Sequence, residues 1–402
     1  VSTRNDIREI RENYARLFSQ LGERILTNKS SLLPLLMTVE TAATAEDEIE
    51  KSVRALRTYH RELDMIQERE PIGTVLVSLP FNNPLYSLIL YSFGPLIGGN
   101  RVIIRPSAIT RDVVIAILHL FPEISDELGL TIFEGSGKDF IQKASRSDEV
   151  QGLIFAGNWD NVTRLMSDFP PNKRLIYCGS GINPFVVDKD ALDSIGMNHV
   201  SRLIVDSKIY NSGQDCLCTE RIFVHHTLCD SLLNALESAI LSLKVGDFGD
   251  VNADINPLLG GIANSAQAIA NRASHADWII PFRKEGALVY PSLAYAAIDS
   301  EIVNSEKFSP VFTVAGFDSY HQLDRALDFQ YMFGVTICGS YSSDILCLYP
   351  HVTKTETVIS NESEDAHVPF GGRRRSGFVK LDSSIHDGPI LYSVETTVPA
   401  QW

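Results

Sequence analysis

The sequence contains no apolar run of the roughly 18–20 residues that a bilayer-spanning helix needs, so none of its helices is expected to cross a membrane. It has too few cysteines for a disulfide framework: the six, at positions 178, 216, 218, 229, 338 and 347, are sparse and irregular over 402 residues and fit reduced thiols. Basic charge is scarce as well. Against 50 Asp and Glu stand 35 Lys and Arg, a net charge of −15 that repels nucleic acid and anionic membranes at long range. Arg373-Arg374-Arg375 is the only basic cluster and reads as a solvated loop face. A second ligand pair is missing beside His225, His226 and Cys229, so no metal site is expected there. The stretch Val1-Ser2-Thr3-Arg4-Asn5-Asp6 has no apolar segment, which predicts neither a signal nor a transit peptide and gives a cytoplasmic location as the default. There is no internal repeat and no low-complexity linker.

What is present is ordinary globular material, 44% hydrophobic and 21% charged, in a chain long enough for two to three domains. Ile7, Ile10, Tyr14, Leu17, Leu21 and Ile25 recur at steps of three and four, so the first thirty residues read as an amphipathic helix. A second helix is predicted from the capping pattern Thr44-Ala45-Glu46-Asp47, with Ile49, Val53, Leu56 and Tyr59 on one face. From Pro71 short apolar strands alternate with helices: Thr74 to Leu79, Val102 to Ile104, Thr131 to Phe133, Leu153 to Phe155 and Arg174 to Tyr177. That alternation implies βαβ crossovers and a mainly parallel sheet covered on both faces, as in a doubly wound nucleotide-binding domain. The helix after Pro84 is apolar nearly all round and should be buried.

After Pro184-Phe185-Val186-Val187 the alternation resumes, with Ala191 to Ile204 helical, Arg221 to Val224 extended and Leu228 to Leu243 helical. Later strands are expected at Pro310 to Ala315, Val335 to Cys338 and Thr357 to Ser360, and a helix at the capping box Ser319-Tyr320-His321-Gln322. Leu391 to Val398 alternates like a strand, which would be an edge or an interface; a homodimer is the simplest assembly the latter would give. The fold class is therefore α/β, with a dinucleotide-binding domain and leading helices over 1–180, a second α/β catalytic domain over 181–377, and a return segment over 378–402.

Near the middle, Asn211-Ser212-Gly213-Gln214-Asp215-Cys216-Leu217-Cys218 runs directly into the β-rich Ile222-Phe223-Val224-His225. A cysteine behind a small, polar, glycine-containing loop can present its thiol to a cleft. Cys216 and Cys218, adjacent but one, should point to opposite faces, one functional and one packed. Gly135-Ser136-Gly137 follows a strand, but Phe140 stands where a dinucleotide fingerprint needs its third glycine.

Several stretches in order are more specific than any one of them. Pro71-Ile72-Gly73, Pro80-Phe81-Asn82-Asn83-Pro84, Gly99-Asn100-Arg101 through Arg105-Pro106-Ser107, Gly213-Gln214-Asp215-Cys216, Phe308-Ser309-Pro310-Val311 and Pro369-Phe370-Gly371-Gly372 with Ser376-Gly377 follow one another. In this the chain resembles the aldehyde dehydrogenase superfamily over almost its whole length. The resemblance implies that Cys216 attacks an aldehyde to give a thiohemiacetal, that hydride leaves to a nicotinamide, and that a thioester remains. It implies that Asn82 joins the Cys216 backbone N–H as an oxyanion hole. On the cofactor side it places Phe81, Arg105, Ser107, Ala108, Gly157, Asn158, Glu306 and Phe308 around NAD or NADP.

The departures from the family pattern shape the chemistry. Ala108 replaces a glutamate that would repel a 2′-phosphate, so NADP should be accepted at least comparably with NAD. Counting back from Pro184, the general-base glutamate falls on Cys178, and a thiol is a poor substitute. Hydrolysis of the thioester should be slow unless a carboxylate such as Glu220 enters the site. The partner of the reaction is then a small-molecule aldehyde or an acyl compound, with a thiol as a candidate acyl acceptor. An acyl-thioester or acyl-phosphate reductase is the alternative enzyme, and a catalytically impaired binding protein the alternative outside enzymes. The Cys216 pKa is expected to be lowered by neighbouring donors, so that limiting iodoacetamide reaches it before Cys218 or Cys347.

Overall fold

The computed structural model describes residues 4–193, 195–354, 371–382 and 384–400. The predicted strand Thr357 to Ser360, and Pro369 and Phe370 of the last motif, lie outside them. None of the helices described is long and apolar enough to cross a membrane.

The apolar spacing of the first residues produces the helix Arg4–Thr27, followed by the short helix Lys29–Leu36. Phe18, Leu21 and Ile25 are buried, with the Phe18 ring against Tyr59 and Phe93, while Ile10 of the same stripe stays outside at 41% exposure. The next helix begins earlier than its capping pattern suggested, at Ala42, and ends at Thr58. Its N-cap is Thr41, whose hydroxyl accepts from Thr44 N at 3.3 Å. The Thr44 hydroxyl shares a hydrogen bond with that of Thr41 at 2.8 Å and also accepts from Asn211 N at 2.9 Å.

The first sheet has seven strands, in the order Ser384–His386, Gly377–Leu381, Arg174–Cys178, Val150–Ala156, Thr74–Ser78, Arg101–Arg105 and Thr131–Ile132. The last five are parallel; Gly377–Leu381 adds antiparallel to Arg174–Cys178, and Ser384–His386 antiparallel to Gly377–Leu381. Sequence order reverses between Thr74–Ser78 and Val150–Ala156, the place where doubly wound sheets open a crevice for ligands at the carboxyl ends of their strands. Pro84–Ile97, starting at that crevice, is buried along nearly its whole length. It is gripped at its N-terminus by Glu48, which accepts from Tyr86 N at 2.8 Å.

A second seven-stranded sheet runs His351–Lys354, Gly334–Cys338, Asn183–Val187, Thr219–His225, Val311–Phe317, Ser292–Tyr295 and Asp277–Ile280. All pairs are parallel except the last. Two expectations change here. Ala191 to Ile204 is not one helix but a 3₁₀ turn, Ala191–Asp193, and the helix Met197–Ile209. Leu391 to Val398 is not one strand: Tyr392–Glu395 is helical, and only Thr397–Pro399 is extended, pairing antiparallel with Arg69–Pro71. The reason is close packing. A Cβ on Gly94 would lie 2.7 Å from that of Tyr392, so the bare glycine lets the C-terminal turn seat on the buried helix.

A buried ion cluster fixes a loop beside the second sheet. Glu220, on Thr219–His225, meets Lys208 Nζ at 2.9 Å and Lys307 Nζ at 3.3 Å. Its carboxylate also accepts from Lys307 N at 3.1 Å and Phe308 N at 3.0 Å, which fixes the loop that carries Glu306 and Phe308. Glu220 is therefore fully committed and does not enter a site. Burial draws Lys307 down to about 7 although Glu220 opposes the shift. Removing one member of such a cluster leaves charge buried without a partner. Glu220→Gln should cost about 3–5 kcal/mol of stability, read as a lower urea midpoint; a midpoint unchanged from the parent would contradict the role.

Candidate active site

At the crevice lies a cavity of about 590 Å³. Every site residue put forward from the sequence lines it: Cys216, Asn82 and Cys178, with Gly157 and Glu306 close to them, and Phe81, Arg105, Ser107, Ala108, Asn158 and Phe308. Its walls are loops leaving the carboxyl ends of first-sheet strands, as the reversal of strand order requires, and loops that lead into the amino ends of Thr219–His225 and Val311–Phe317 in the second sheet.

The cysteine loop is held by backbone constraints. Asn211, Ser212 and Gly213 take left-handed conformations in succession, φ 47°, 58° and 83°. A Cβ on Gly213 would come within 2.6 Å of the Ser309 backbone, so only glycine fits. Ser212 Oγ accepts from Asn256 N at 2.9 Å, and Gln214 Oε1 accepts from Leu259 N at 3.0 Å. Asn183 Nδ2 donates to Cys216 O at 2.8 Å, and a Cβ on Gly181 would collide with that same carbonyl oxygen. The chain is thus anchored on both sides of Cys216. Cys216 N–H itself donates to no described residue.

Asp215 joins this loop to the one from the first sheet. Its Oδ1 accepts from Leu217 N at 2.8 Å, and its Oδ2 accepts from Asn83 Nδ2 at 2.6 Å and, at the limit of 3.5 Å, from Asn82 Nδ2. Asn83 is left-handed at φ 48°, the conformation that turns the chain into helix Pro84–Ile97 and leaves Asn82 facing the cavity. Cys218 points away, its Sγ to Tyr210 O at 3.5 Å, as its spacing from Cys216 implied.

Electrostatics correct the expectation for the thiol. Burial first, then the Asp215 carboxylate, then Cys178 and Glu306, push Cys216 well above its ordinary value. No cation contributes, because Lys208 and Lys307 face Glu220. Cys178 ends strand Arg174–Cys178, where burial pushes it up to about 12 against the opposing hydrogen bond that its Sγ shares with Tyr392 Oη at 2.8 Å. Burial, with Glu220 adding to it, raises Glu306 to about 7, and its Oε1 accepts from Gly181 N at 2.9 Å. Cys347 is exposed.

The cavity suits a dinucleotide by its donors. Arg105 ends strand Arg101–Arg105, and its guanidinium lies over Gly137 without an ion pair among the described residues. Gly137 opens the helix Gly137–Arg146, capped by Ser136 and Asp139, so the Gly135-Ser136-Gly137 motif is a helix cap beside the arginine. Asn158 caps helix Trp159–Asp168, its Oδ1 accepting from Asn161 N at 3.0 Å, and that N-terminus favours an anion. Phe81 and Phe308 meet edge to face at 6.0 Å, beside the Glu306 carboxylate. An arginine, a helix N-terminus, a carboxylate and two aromatic rings fit phosphates, ribose hydroxyls and a flat ring in turn.

Sequence reasoning assigned no role to Asp215, Lys307 or Tyr392. Asp215 could have been noticed from its place beside the cysteine; Tyr392 and Lys307 act through partners distant in sequence and gave no local signal. The arginine triplet is not simply a solvated face. Arg373 and Arg374 pair with Asp387 and Asp328, and Arg375 lies over the Trp159 ring at 5.3 Å.

The aldehyde dehydrogenase family model matches residues 2–388. A lactaldehyde dehydrogenase of Methanococcus aeolicus is 23% identical over 392 residues, covering 90% of this chain and 82% of its own. An NADP/NAD-dependent aldehyde dehydrogenase of Escherichia coli is 26% identical over 384 residues, 88% of this chain and 76% of its own. Among solved structures, glyceraldehyde-3-phosphate dehydrogenase from Methanocaldococcus jannaschii complexed with NADP shares the fold with a TM-score of 0.82 at 18% identity, over 98% of this chain and 92% of that one. The chain belongs to the aldehyde dehydrogenase family, oxidoreductases that act on the aldehyde group with NAD or NADP.

Proposed function

We propose that the protein oxidises an aldehyde through Cys216, leaving an acyl thioester on the sulfur, with Asn82 as an oxyanion donor. The observation that carries this is the pairing of two donors at one cavity wall. The Cys216 N–H is uncommitted, and the Asn82 amide is held only at 3.5 Å by Asp215, so both can turn to an oxygen that becomes negative as the thiol adds. Each such donor contributes on the order of 10²–10³ in rate. NAD or NADP, when bound, supplies the acceptor for the hydride. Arg105, Ser107, Ala108, Gly157 and Asn158 would hold its adenosine and phosphate part, and Phe81, Glu306 and Phe308 its nicotinamide part. Among the described residues no cation pairs with Cys216, so the thiol loses its proton as the aldehyde arrives rather than resting as a thiolate.

Cys178 is not the base of the second half-reaction. A thiol raised to about 12 and engaged with Tyr392 takes no proton from water near neutral pH. The acyl group then leaves with help from another group in the cavity, or to an acceptor thiol. An aldehyde panel that includes lactaldehyde, run with NAD and NADP and with and without coenzyme A, tests the reading; no reduced cofactor with any aldehyde would overturn it.

Two further outcomes follow from the same geometry. Cys216→Ala should abolish formation of reduced cofactor, and full turnover would remove Cys216 from the mechanism. Contrary to the order expected from sequence, iodoacetamide should modify exposed Cys347 before Cys216, and the rate at Cys216 should keep rising past about pH 9, read by mass spectrometry. A plateau below neutral pH would show a resting thiolate instead.

The adenosine end predicts cofactor choice. Arg105 has no ion pair among the described residues and Ala108 carries no carboxylate, so NADP should bind at least as tightly as NAD in a fluorescence titration. Ala108→Glu should move the preference toward NAD by tenfold or more, about 1.4 kcal/mol. NAD binding a hundredfold more tightly than NADP in the parent would contradict the assignment.

A further inference from the structure

We infer that Glu306 is a catalytic base: after the nicotinamide end has left, its carboxylate takes the proton of the water that attacks the Cys216 thioester. The inference rests on Cys216 carrying the acyl group, as proposed above, and adds a second role to a residue otherwise assigned to the cofactor.

Elimination within the cavity comes first. Besides Glu306, the acidic and basic side chains that line it toward Cys216 are Asp215, Cys178 and Lys307. Asp215 is engaged on both oxygens, by Leu217 N on Oδ1 and Asn83 Nδ2 on Oδ2. Cys178 is a buried neutral thiol bonded to Tyr392. Lys307 sends its ammonium away, to Glu220 O at 2.6 Å, Ile302 O at 3.0 Å and Thr313 Oγ1 at 3.1 Å. Glu306, whose carboxylate accepts from Gly181 N and bonds with Ser180, is the carboxylate that remains.

Placement supports the role. Glu306 Oε1 is fixed at 2.9 Å from Gly181 N, and Gly181 is the residue whose absent Cβ makes room for the Cys216 carbonyl. One residue therefore separates the carboxylate from the backbone of the nucleophile, and the two side chains are close enough for Glu306 to act on the thiol. Its loop is immobilised on the far side, where Glu220 accepts from the N–H groups of both Lys307 and Phe308. The charged and titratable groups around Glu306 are Glu220, Lys208, Tyr177 and Cys216. Burial and Glu220 hold it near 7, where a general base works best at neutral pH.

The step balances without an oxidant. Water oxygen bonds to the thioester carbon and its proton passes to Glu306. The C–S bond then breaks, Cys216 leaves as thiolate and recovers the proton, and a carboxylic acid departs.

The test omits the cofactor, so that loss of ribose binding cannot imitate loss of the base. p-Nitrophenyl acetate acetylates a cysteine without hydride transfer, giving a burst of nitrophenolate and then a steady rate set by deacylation. Glu306→Gln should keep the burst, hold acetyl on Cys216 by mass spectrometry, and slow deacylation by about 10²–10⁴ with loss of the rise through pH 7. Glu306→Asp, with its carboxylate one methylene further back, should retain that rise at a reduced rate. Acetyl leaving Cys216 in Glu306→Gln within threefold of the parent rate would overturn the base while Cys216 stands as nucleophile. Absence of acetyl on Cys216 in the parent would overturn both.

Discussion

The hydrogen bond from Asn83 Nδ2 to Asp215 Oδ2, 2.6 Å long and buried, is the contact on which the site depends. It joins a loop of the first sheet to the cysteine loop of the second, and brings Asn82 to the wall that holds Cys216. The carboxylate that makes the bond also has a cost. Standing next to the proposed nucleophile in a buried region, it opposes the thiolate, so the geometry that positions the proposed oxyanion donors raises the energy of the attacking form. An enzyme arranged this way keeps its cysteine protonated, and less open to alkylation and oxidation, until an electrophile is in place.

Positive charge near the cavity is spent on architecture instead. Lys208 and Lys307 turn inward to Glu220, and both are essentially without solvent exposure. Their role is to hold a strained loop: Phe308 is left-handed at φ 49°, a conformation unfavourable for an aromatic residue, and the Glu220 carboxylate meets its N–H and the one before it. Glu306 inherits that rigidity. The buried cluster thus acts on the chemistry indirectly, through the position of a carboxylate rather than through the charge at the sulfur.

How much of this was legible depends on the range of the interaction involved. Cys216 was readable from its small, polar loop running into a strand, and Asn82 and the dinucleotide residues from the order of short motifs that resemble the aldehyde dehydrogenases; all of them line one cavity. The alternation of strands and helices was readable from local spacing. Long-range partners were not. Thr44 looked like a cap until Asn211 claimed its hydroxyl, and Glu220 looked free to enter the site until two lysines, distant in sequence, closed on it. The thiol pKa was misjudged because loop N–H groups were counted and the neighbouring carboxylates were not.

The C-terminal turn shows why position 178 could give up its carboxylate. Tyr392 is buried, its hydroxyl bonded to Cys178 and its ring edge-on to Tyr91 at 5.4 Å. Its backbone reaches that depth because Gly94 leaves room for its Cβ. A glutamate at position 178 would have to place a charge against this aromatic wall, where burial already drives a thiol strongly upward, and it would be protonated or expelled. The small, neutral cysteine and the deep tyrosine are two halves of one packing solution. With that solution in place, the base we propose sits on a different loop of the cavity, where Glu306 is held by Gly181 and its loop by Glu220.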